Sequence, residues 1–193
     1  MMRADQFVVS KRDFPEGWVR CRRDGVTATQ VAKAATPAGF ETSVRDHLEE
    51  YVEMDNPYMK FGRDMEPVVA RMLHQEFGVM PNDWLLRHES VGHHLATPDG
   101  LSLNHSVIAE IKTTGKDFEH VSIPIQYRRQ VQWQLHVTGA ERCLFAWMLR
   151  VEVDGIYAPA WWAPKHEWLE RDEEMIGTLI GVADELWERV KHG

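Results

Sequence analysis

A strand–helix–strand unit in the middle of the chain constrains the fold more than any other feature. Residues 107–112 are rich in β-formers, residues 125–138 have helical spacing between Pro124 and Gly139, and residues 143–148 form an apolar run. A helix between two such strands is typical of a crossover connection within one sheet. Helical patterns also precede and follow this unit. The sequence therefore predicts an α/β fold with a central mixed sheet flanked by helices.

The remaining elements are predicted from apolar periodicity and from turn residues. Helices are expected over 27–35, 43–54, 65–77 and 172–190, and short strands over 85–91, 94–97 and 156–161. Thr27 is the expected N-cap of the first helix. Pro67 is tolerated best in the first turn of a helix, where backbone N–H groups have no helical partner. This places the start of the third helix at Glu66.

Composition excludes several classes of protein. With 193 residues, 44% hydrophobic and 27% charged, the chain is long enough for a sizeable core and has average globular composition. It contains no apolar run of eighteen residues, and its first residues lack a signal core, so we expect a cytoplasmic protein with no membrane span. Two cysteines are too few for a disulfide framework or an iron–sulfur cluster. No repeat or Gly/Ser linker divides residues 1–193, which predicts a single domain.

The charge is negative overall but unevenly distributed. The net charge is −8, yet residues 1–30 and residues 112–129 each carry a net charge of +2. A local basic groove can still bind a polyanion, so net charge alone does not exclude a nucleic-acid substrate.

The clearest chemical feature is Asp99 in a Pro-Asp-Gly turn, followed by Glu110-Ile111-Lys112. Side chains alternate along a strand, so Glu110 and Lys112 point to the same side. Two carboxylates and a backbone carbonyl, that of Ile111, form an oxygen-only site suited to Mg²⁺ or Mn²⁺. A neighbouring lysine can orient a water molecule for attack on a phosphodiester. The alternative is a solvated strand face with a cross-strand ion pair, which is the commoner origin of an isolated Glu-x-Lys.

Two further side chains suit the same site. Glu66 offers a third carboxylate, and Gln130 lies on the helix after the strand, where Gln134 shares its face by i,i+4 spacing. An amide can hold a water molecule or a phosphate oxygen. Plain solvent exposure is the alternative for such a face, but Arg128 and Arg129 add a basic edge beside it.

Taken together, these motifs resemble the PD-(D/E)XK nuclease superfamily, and within it the lambda-exonuclease and YqaJ-like viral recombinases. The resemblance covers about residues 17–148 and rests on motifs in the family's order: Trp18-x-x-x-Arg22, Gly25-Val26-Thr27-Ala28-Thr29, Gly62-x-x-x-Glu66, Pro98-Asp99-Gly100, Glu110-x-Lys112, Gln130-Val131-Gln132 and Val137-Thr138-Gly139. It implies a restriction-endonuclease-like core. It divides the domain into an N-terminal helical part that binds DNA ends (1–58), a catalytic core (59–150) and a C-terminal strand and helix (151–193).

The resemblance also implies roles for individual residues. Asp99 and Glu110 would bind the metal, two ions per site, and Glu66 would help to hold it directly or through water. Lys112 would serve the attacking water, and Gln130 would orient the site.

The resemblance also implies an activity, processive 5′→3′ digestion of one strand of double-stranded DNA from its ends. It further implies a ring-shaped trimer and, as partner in phage-type recombination, a single-strand annealing protein. The protein would be encoded by a phage or prophage and act in a bacterial host cell. Trp161, Trp162 and Trp168 are the predicted interface aromatics.

A second set of residues is predicted to bind the 5′-phosphate of the DNA end. Arg22 can bind phosphate oxygens bidentately, helped by the unpaired N–H groups at the start of the helix that Thr27 caps. Thr29 can donate from the first turn of that helix. Trp18 lies among the basic residues of this segment and is a candidate for contact with DNA. The alternative is that Arg20, Arg22 and Arg23 form a solvated loop that attracts any DNA.

Three other readings remain open. The same fold can act as a structure- or sequence-specific endonuclease, or as a decayed nuclease domain that only binds DNA or protein. The intact Asp99, Glu110 and Lys112 argue against decay. A zinc site is not favoured, because the ten histidines and two cysteines form no H-x-x-x-H or C-x-x-C pair.

Overall fold

The structure, a computed structural model, describes residues 2–49 and 56–192. After a short 3₁₀ turn at Ala4–Gln6, its helices are α1 (Pro15–Cys21), α2 (Ala28–Ala34), α3 (Pro37–Leu48), α4 (Pro57–Phe77), α5 (Ile125–Thr138) and α6 (Glu173–His192). Its strands are β1 (Phe7–Ser10), β2 (Val26–Thr27), β3 (Val79–Pro81), β4 (Trp84–Arg87), β5 (His94–Ala96), β6 (Gly100–Ser102), β7 (Val107–Thr114), β8 (Arg142–Val153), β9 (Ile156–Pro159) and β10 (Lys165–Glu170).

The strands form two sheets. The larger has the order β10-β8-β7-β6-β3, with β9 paired to β8, and the smaller has the order β1-β4-β5-β2. β7 and β8 run parallel, with Glu110 opposite Phe145, and α5 is the crossover between them. This confirms the predicted strand–helix–strand unit. The larger sheet is mixed, because β6 and β10 pair antiparallel to this central pair.

The alternation of side chains along β7 gives the larger sheet two packed faces. Ile108 belongs to the core beneath α5, together with Phe145 of β8. Ala109 and Ile111 face the opposite side, where they pack against α4. Glu110 and Lys112 therefore share the face that α5 covers, which accounts for the burial of a carboxylate on a central strand.

Helix α4 begins earlier than the sequence predicts. Asn56 caps it by accepting a hydrogen bond from the Met59 N–H at 2.9 Å, and Pro57 occupies the first turn. Pro67 consequently lies inside a helix of 21 residues. The predicted start at Glu66 is wrong, because a strong cap and a long apolar stripe outweigh the one helical hydrogen bond that Pro67 cannot donate. Glu66 is a mid-helix residue.

Other elements differ in smaller ways. The helix predicted over 43–54 corresponds to α3, which begins at Pro37; Tyr51 and Val52, two of its predicted apolar positions, lie outside the described residues. Thr27 precedes α2 as its N-cap, as predicted. Helix α1 and the strands β1, β2, β3, β6 and β10 have no counterpart among the predicted elements. Among residues 2–49 and 56–192, no helix is both long and apolar enough to cross a membrane.

Candidate active site

The turn before β6 places Asp99 directly beside the middle of β7. The Asp99 N–H donates to the Ala109 carbonyl at 2.9 Å, and the Ile111 N–H donates to Oδ2 of Asp99 at 2.7 Å. Asn82 holds the same turn by donating its side-chain amide to the Pro98 carbonyl at 2.7 Å. Asp99 is thus fixed next to Glu110-Ile111-Lys112, as the turn and strand motifs predict.

Glu110 is only 2% exposed, and hydrogen bonds reach both of its carboxylate oxygens. Lys112 pairs with Oε1, and the Gln130 amide donates to the same oxygen at 2.6 Å. The Gln134 amide donates to Oε2, also at 2.6 Å. Two glutamines one helical turn apart on α5 therefore orient a carboxylate on β7.

Glu66, on α4, lies beside the same cluster of side chains. Its side chain is solvent-exposed, and together with Asp99, Gln130 and Gln134 it lines a cleft of about 690 Å³. Partial desolvation raises the pKa of Glu66, an effect that Lys11 opposes and Glu110 reinforces. The structure brings Glu66, Asp99, Glu110, Lys112 and Gln130 together around the middle of β7.

The electrostatics of this cluster are unbalanced. Desolvation raises the pKa of Asp99 well above its usual range, and the charges of Glu110 and Glu66 raise it further. Burial alone would lower the pKa of Lys112, but the charges of Glu110 and Asp99 outweigh burial and raise it. Three carboxylates are offset by two ammonium groups, Lys112, which pairs with Glu110, and Lys11, whose charge acts on Glu66, so the cluster can accept additional positive charge.

Gln134 is a site residue that the sequence reasoning placed on the right helix face without assigning it a role. It is 1% exposed, and its Oε1 has no hydrogen-bond partner among the described residues. Gln132, part of the recognised motif, serves a different purpose. Its amide donates to the Glu170 carbonyl and its oxygen accepts from the Asp172 N–H, both at 2.8 Å, which ties α5 to the start of α6.

The predicted DNA-end residues line the same cleft. The Arg22 guanidinium lies 4.5 Å from the centre of the Trp18 ring, and the Lys11 ammonium lies 5.0 Å from it. Thr29 also borders the cleft. Burial lowers the pKa of Arg22, and no carboxylate of the described chain lies within ion-pair distance of it. The buried Trp18 Nε1 likewise has no acceptor among those residues. Lys11 has no sequence motif that singles it out.

The start of α2 contributes less to this pocket than the sequence suggests. The helix has seven residues, and its capping box uses the Thr27 N–H, which donates to the Gln30 side chain at 2.9 Å. The Gln30 N–H is engaged by the Thr27 side chain in return. A short helix with two of its N–H groups paired has little dipole potential left for an anion. The cationic character of the pocket rests on Arg22 and Lys11.

The sequence model of the YqaJ-like viral recombinase domain matches residues 17–141, about two thirds of the chain. The chain belongs to this family. The matched span contains every predicted site residue, from Trp18 to Gln130, whereas Lys11 precedes it. No curated protein matches the chain by sequence.

Solved structures of exonucleases have the same fold as this YqaJ-like domain. LHK-Exo in complex with dAMP is 23% identical, with a TM-score of 0.71 over 92% of this chain and 93% of its own. The alkaline exonuclease LHK-Exo from Laribacter hongkongensis, also 23% identical, has a TM-score of 0.68 over 92% and 95% of the two chains. A phage-related exonuclease from Haemophilus somnus 129PT is 11% identical, with a TM-score of 0.66 over 87% and 94%. The predicted restriction-endonuclease-like fold is confirmed.

Proposed function

We propose that this YqaJ-like protein is a metal-dependent exonuclease that digests one strand of linear double-stranded DNA in the 5′→3′ direction. The observation that carries the proposal is one cleft that is lined both by Glu66 and Asp99 and by Arg22 and Trp18. The first group suits phosphodiester hydrolysis and the second suits a terminal phosphate. The family and the exonucleases of like fold support the same reading, as does dAMP, a deoxynucleoside monophosphate, in the LHK-Exo complex.

The carboxylates fit a hard divalent cation. Glu66, Asp99 and Glu110 supply oxygen ligands only, and these three carboxylates outnumber the two nearby ammonium groups, those of Lys112 and Lys11. We assign Mg²⁺ or Mn²⁺ to this site, as two ions held by these carboxylates and the Ile111 carbonyl. When bound, such ions lower the pKa of a coordinated water and neutralise charge on the scissile phosphate.

Lys112 has a role that follows from its position. Its side chain pairs with Glu110, and its amino group can orient the attacking water or a phosphate oxygen by donating hydrogen bonds. Its Nζ lies 5.2 Å from the centre of the Tyr127 ring, on the side of a second cavity lined also by Tyr58 and Arg150. Gln130 and Gln134 hold Glu110 in the orientation that the site requires.

The DNA-end pocket explains why digestion would start at a 5′ terminus. A terminal phosphate carries more charge than an internal phosphodiester, and Arg22, Lys11 and the hydroxyl of Thr29 are donors grouped around Trp18. An anion bound there lies in the same cleft as Asp99 and Glu66.

Assembly and partners are part of the proposal. We propose a homotrimer that encircles the DNA and cooperates with a single-strand annealing protein in phage-type recombination. Trp161 and Trp162, 49% and 95% exposed, are suitable interface residues. Trp168 is not: it packs against Phe77 at 6.0 Å between ring centres and under Arg142.

The decisive experiment compares linear with covalently closed circular double-stranded DNA, in Mg²⁺ and in EDTA. An exonuclease degrades the linear substrate in Mg²⁺ and leaves the circle intact. An endonuclease nicks or linearises the circle, and a decayed domain binds DNA but cleaves neither form. Either of the last two results would overturn the proposal. End-labelled strands then establish the polarity, and light scattering at micromolar concentration measures the oligomeric state.

A further inference from the structure

Two adjacent histidines and an aspartate meet at one end of the smaller sheet, away from the cleft. His94 begins β5, His93 lies in the turn before it, and Asp184 lies on α6. The Nε2 atoms of His93 and His94 are 3.2 Å and 3.0 Å from Oδ1 of Asp184. Neighbours within a strand would point to opposite faces. This alternation does not apply to His93, because it lies in the turn before the strand. Both imidazole rings can therefore reach the same carboxylate.

Both rings are held in fixed orientations. His94 is 1% exposed, its Nδ1 lies 3.1 Å from Nε2 of His136, and its ring packs on Trp133 at 4.7 Å between centres. His93 stacks on Trp187, with the centres 5.4 Å apart and the planes 9° from parallel. A histidine that binds a metal through Nε2 is usually held by a hydrogen bond at Nδ1, which is the contact that His136 makes.

We infer that His93, His94 and Asp184 bind a zinc-like transition-metal ion. Tetrahedral ligands at zinc's usual bond lengths of about 2.0–2.1 Å lie about 3.3 Å apart, close to the two distances from Asp184 Oδ1. The ligand atoms of all three residues lie within 4.8 Å of one another. Two imidazoles and one carboxylate suit Zn²⁺, whereas Mg²⁺ prefers oxygen ligands alone. Asp184 is exposed, which leaves the fourth position open to water.

A second group of close ligand atoms, on Asp117, Glu119 and His120, does not support the same inference. The Lys165 ammonium binds the carboxylates of Asp117 and Glu119 at 2.5 Å and 2.6 Å. Its positive charge already neutralises these ligands. No comparable cation is paired with Asp184 among the described residues.

The position of the site indicates a structural role. The His93 carbonyl accepts the Val26 N–H at 2.8 Å, and Val26 pairs with His94 in the register of β2 and β5. A side chain at Gly25 would collide with the same carbonyl, since a Cβ there would lie 2.2 Å from it. The chain from Gly25 leads directly into Thr27, which borders the cleft. A metal between β5 and α6 therefore stabilises the wall of the cleft that α2 forms.

The test uses Co²⁺ as a spectroscopic substitute for Zn²⁺, because tetrahedral cobalt absorbs visible light far more strongly than octahedral cobalt. Chelator-treated full-length protein is titrated with Co²⁺ in excess Mg²⁺, which occupies oxygen-only sites. We expect an intense visible band that saturates at about one equivalent per chain and disappears when Zn²⁺ is added. Zn²⁺ should also raise the melting temperature of the wild type.

His93→Ala and Asp184→Asn separate metal binding from simple hydrogen bonding. Asparagine keeps an acceptor for both imidazole N–H groups but loses the ligand charge, so D184N should fold and lose both the cobalt band and the Zn²⁺-induced rise in melting temperature. Zinc affinity should fall at least about tenfold in both variants. Glu185→Gln, the neighbouring acid on α6, and His120→Ala should keep the band. The inference is overturned if the wild type gives no tetrahedral band, if the band survives in H93A and D184N, or if H120A removes it.

Discussion

The buried amide of Gln134 donates a hydrogen bond to Oε2 of Glu110 at 2.6 Å, from a helix to the central strand beside it. Gln130 holds the other carboxylate oxygen at the same distance. The carboxylate is therefore oriented before any cation binds. A pre-oriented ligand does not have to be immobilised when the metal and DNA arrive, which lowers the cost of assembling the site.

Replacing Gln134 by methionine should impair catalysis more than folding. The change keeps most of the volume but removes the donor to Oε2 of Glu110, so the carboxylate is held only at Oε1 by Lys112 and Gln130. We expect a roughly 10- to 100-fold lower rate at low Mg²⁺, with a higher Mg²⁺ concentration needed for half-maximal activity. Initial rates across a Mg²⁺ titration measure this effect, with the exposed Gln126→Ala as control. An unchanged Mg²⁺ requirement in Q134M would show that Gln134 does not position Glu110.

Replacing Gln132, on the same helix, by alanine should impair folding stability more than catalysis. Gln132 bonds the Glu170 carbonyl and the Asp172 N–H rather than the active site. Its loss removes two part-buried hydrogen bonds, which should lower the free energy of unfolding by about 0.5–1.5 kcal/mol for each bond. Urea denaturation measures this loss. The turnover number of the folded Q132A enzyme should remain close to that of the wild type, and a large fall in turnover would assign Gln132 to the site.

The features that the sequence predicted correctly depend on local geometry. Strand alternation placed Glu110 and Lys112 on one face, and the Pro98-Asp99-Gly100 turn brought Asp99 beside them. These relationships involve short separations along the chain, where residue type and period are informative.

The features that it missed depend on distant contacts or on competing local preferences. His94 and Asp184 are 90 residues apart, and nothing in the spacing of either one indicates the other. Lys11 reaches Trp18 from the loop after β1, in a segment with no recognisable motif. The preference of proline for the first turn of a helix predicts a start at Glu66, but the cap at Asn56 starts α4 earlier and leaves Pro67 inside it.

Asp99→Asn and Glu110→Ala should abolish cleavage while the fold survives. Loss of a metal ligand removes charge stabilisation from the transition state, for which a fall of at least about a hundredfold is usual. Desolvation and the nearby carboxylates raise the pKa of Asp99 and so disfavour its charged form. D99N in EDTA should therefore melt at or above the temperature of the wild type, since asparagine replaces a group whose charged form is disfavoured there. Full cleavage by either variant at saturating Mg²⁺ would contradict the assignment.

Lys112→Ala should lower the turnover number without a matching loss of DNA affinity. An ammonium that orients the attacking water acts mainly in the transition state, and removal of such a group costs about a hundredfold or more. Single-turnover rates and equilibrium DNA binding in Ca²⁺ separate the two effects. Lys116→Ala, an exposed lysine beyond the end of β7, is the matched control. If K112A binds DNA weakly but turns over normally, Lys112 is a phosphate clamp instead.

The Arg22 pocket leads to a prediction about which DNA ends are digested. Wild-type protein should degrade 5′-phosphorylated ends faster than 5′-hydroxyl ends, because the guanidinium has no carboxylate partner in the described chain and is free to bind an anion. A hydrogen bond to a charged group is worth about 1.5–3 kcal/mol, so the preference should be about tenfold to a hundredfold. Initial rates on duplexes that differ only in the 5′ group measure it directly.

Substitutions distinguish specific recognition of the phosphate from general attraction of DNA. Arg22→Ala should erase the end preference, whereas the exposed Arg20→Ala should keep it and only weaken binding slightly. Because α2 is short and its first N–H groups are capped, Thr29→Val should reduce the preference through its hydroxyl alone. If the three-arginine loop merely attracts DNA, R20A, R22A and R23A will weaken binding alike, and each will reduce its salt dependence. Equal wild-type rates on phosphorylated and hydroxyl ends would then assign Arg22 to the DNA backbone and leave the choice of a 5′ terminus to other residues.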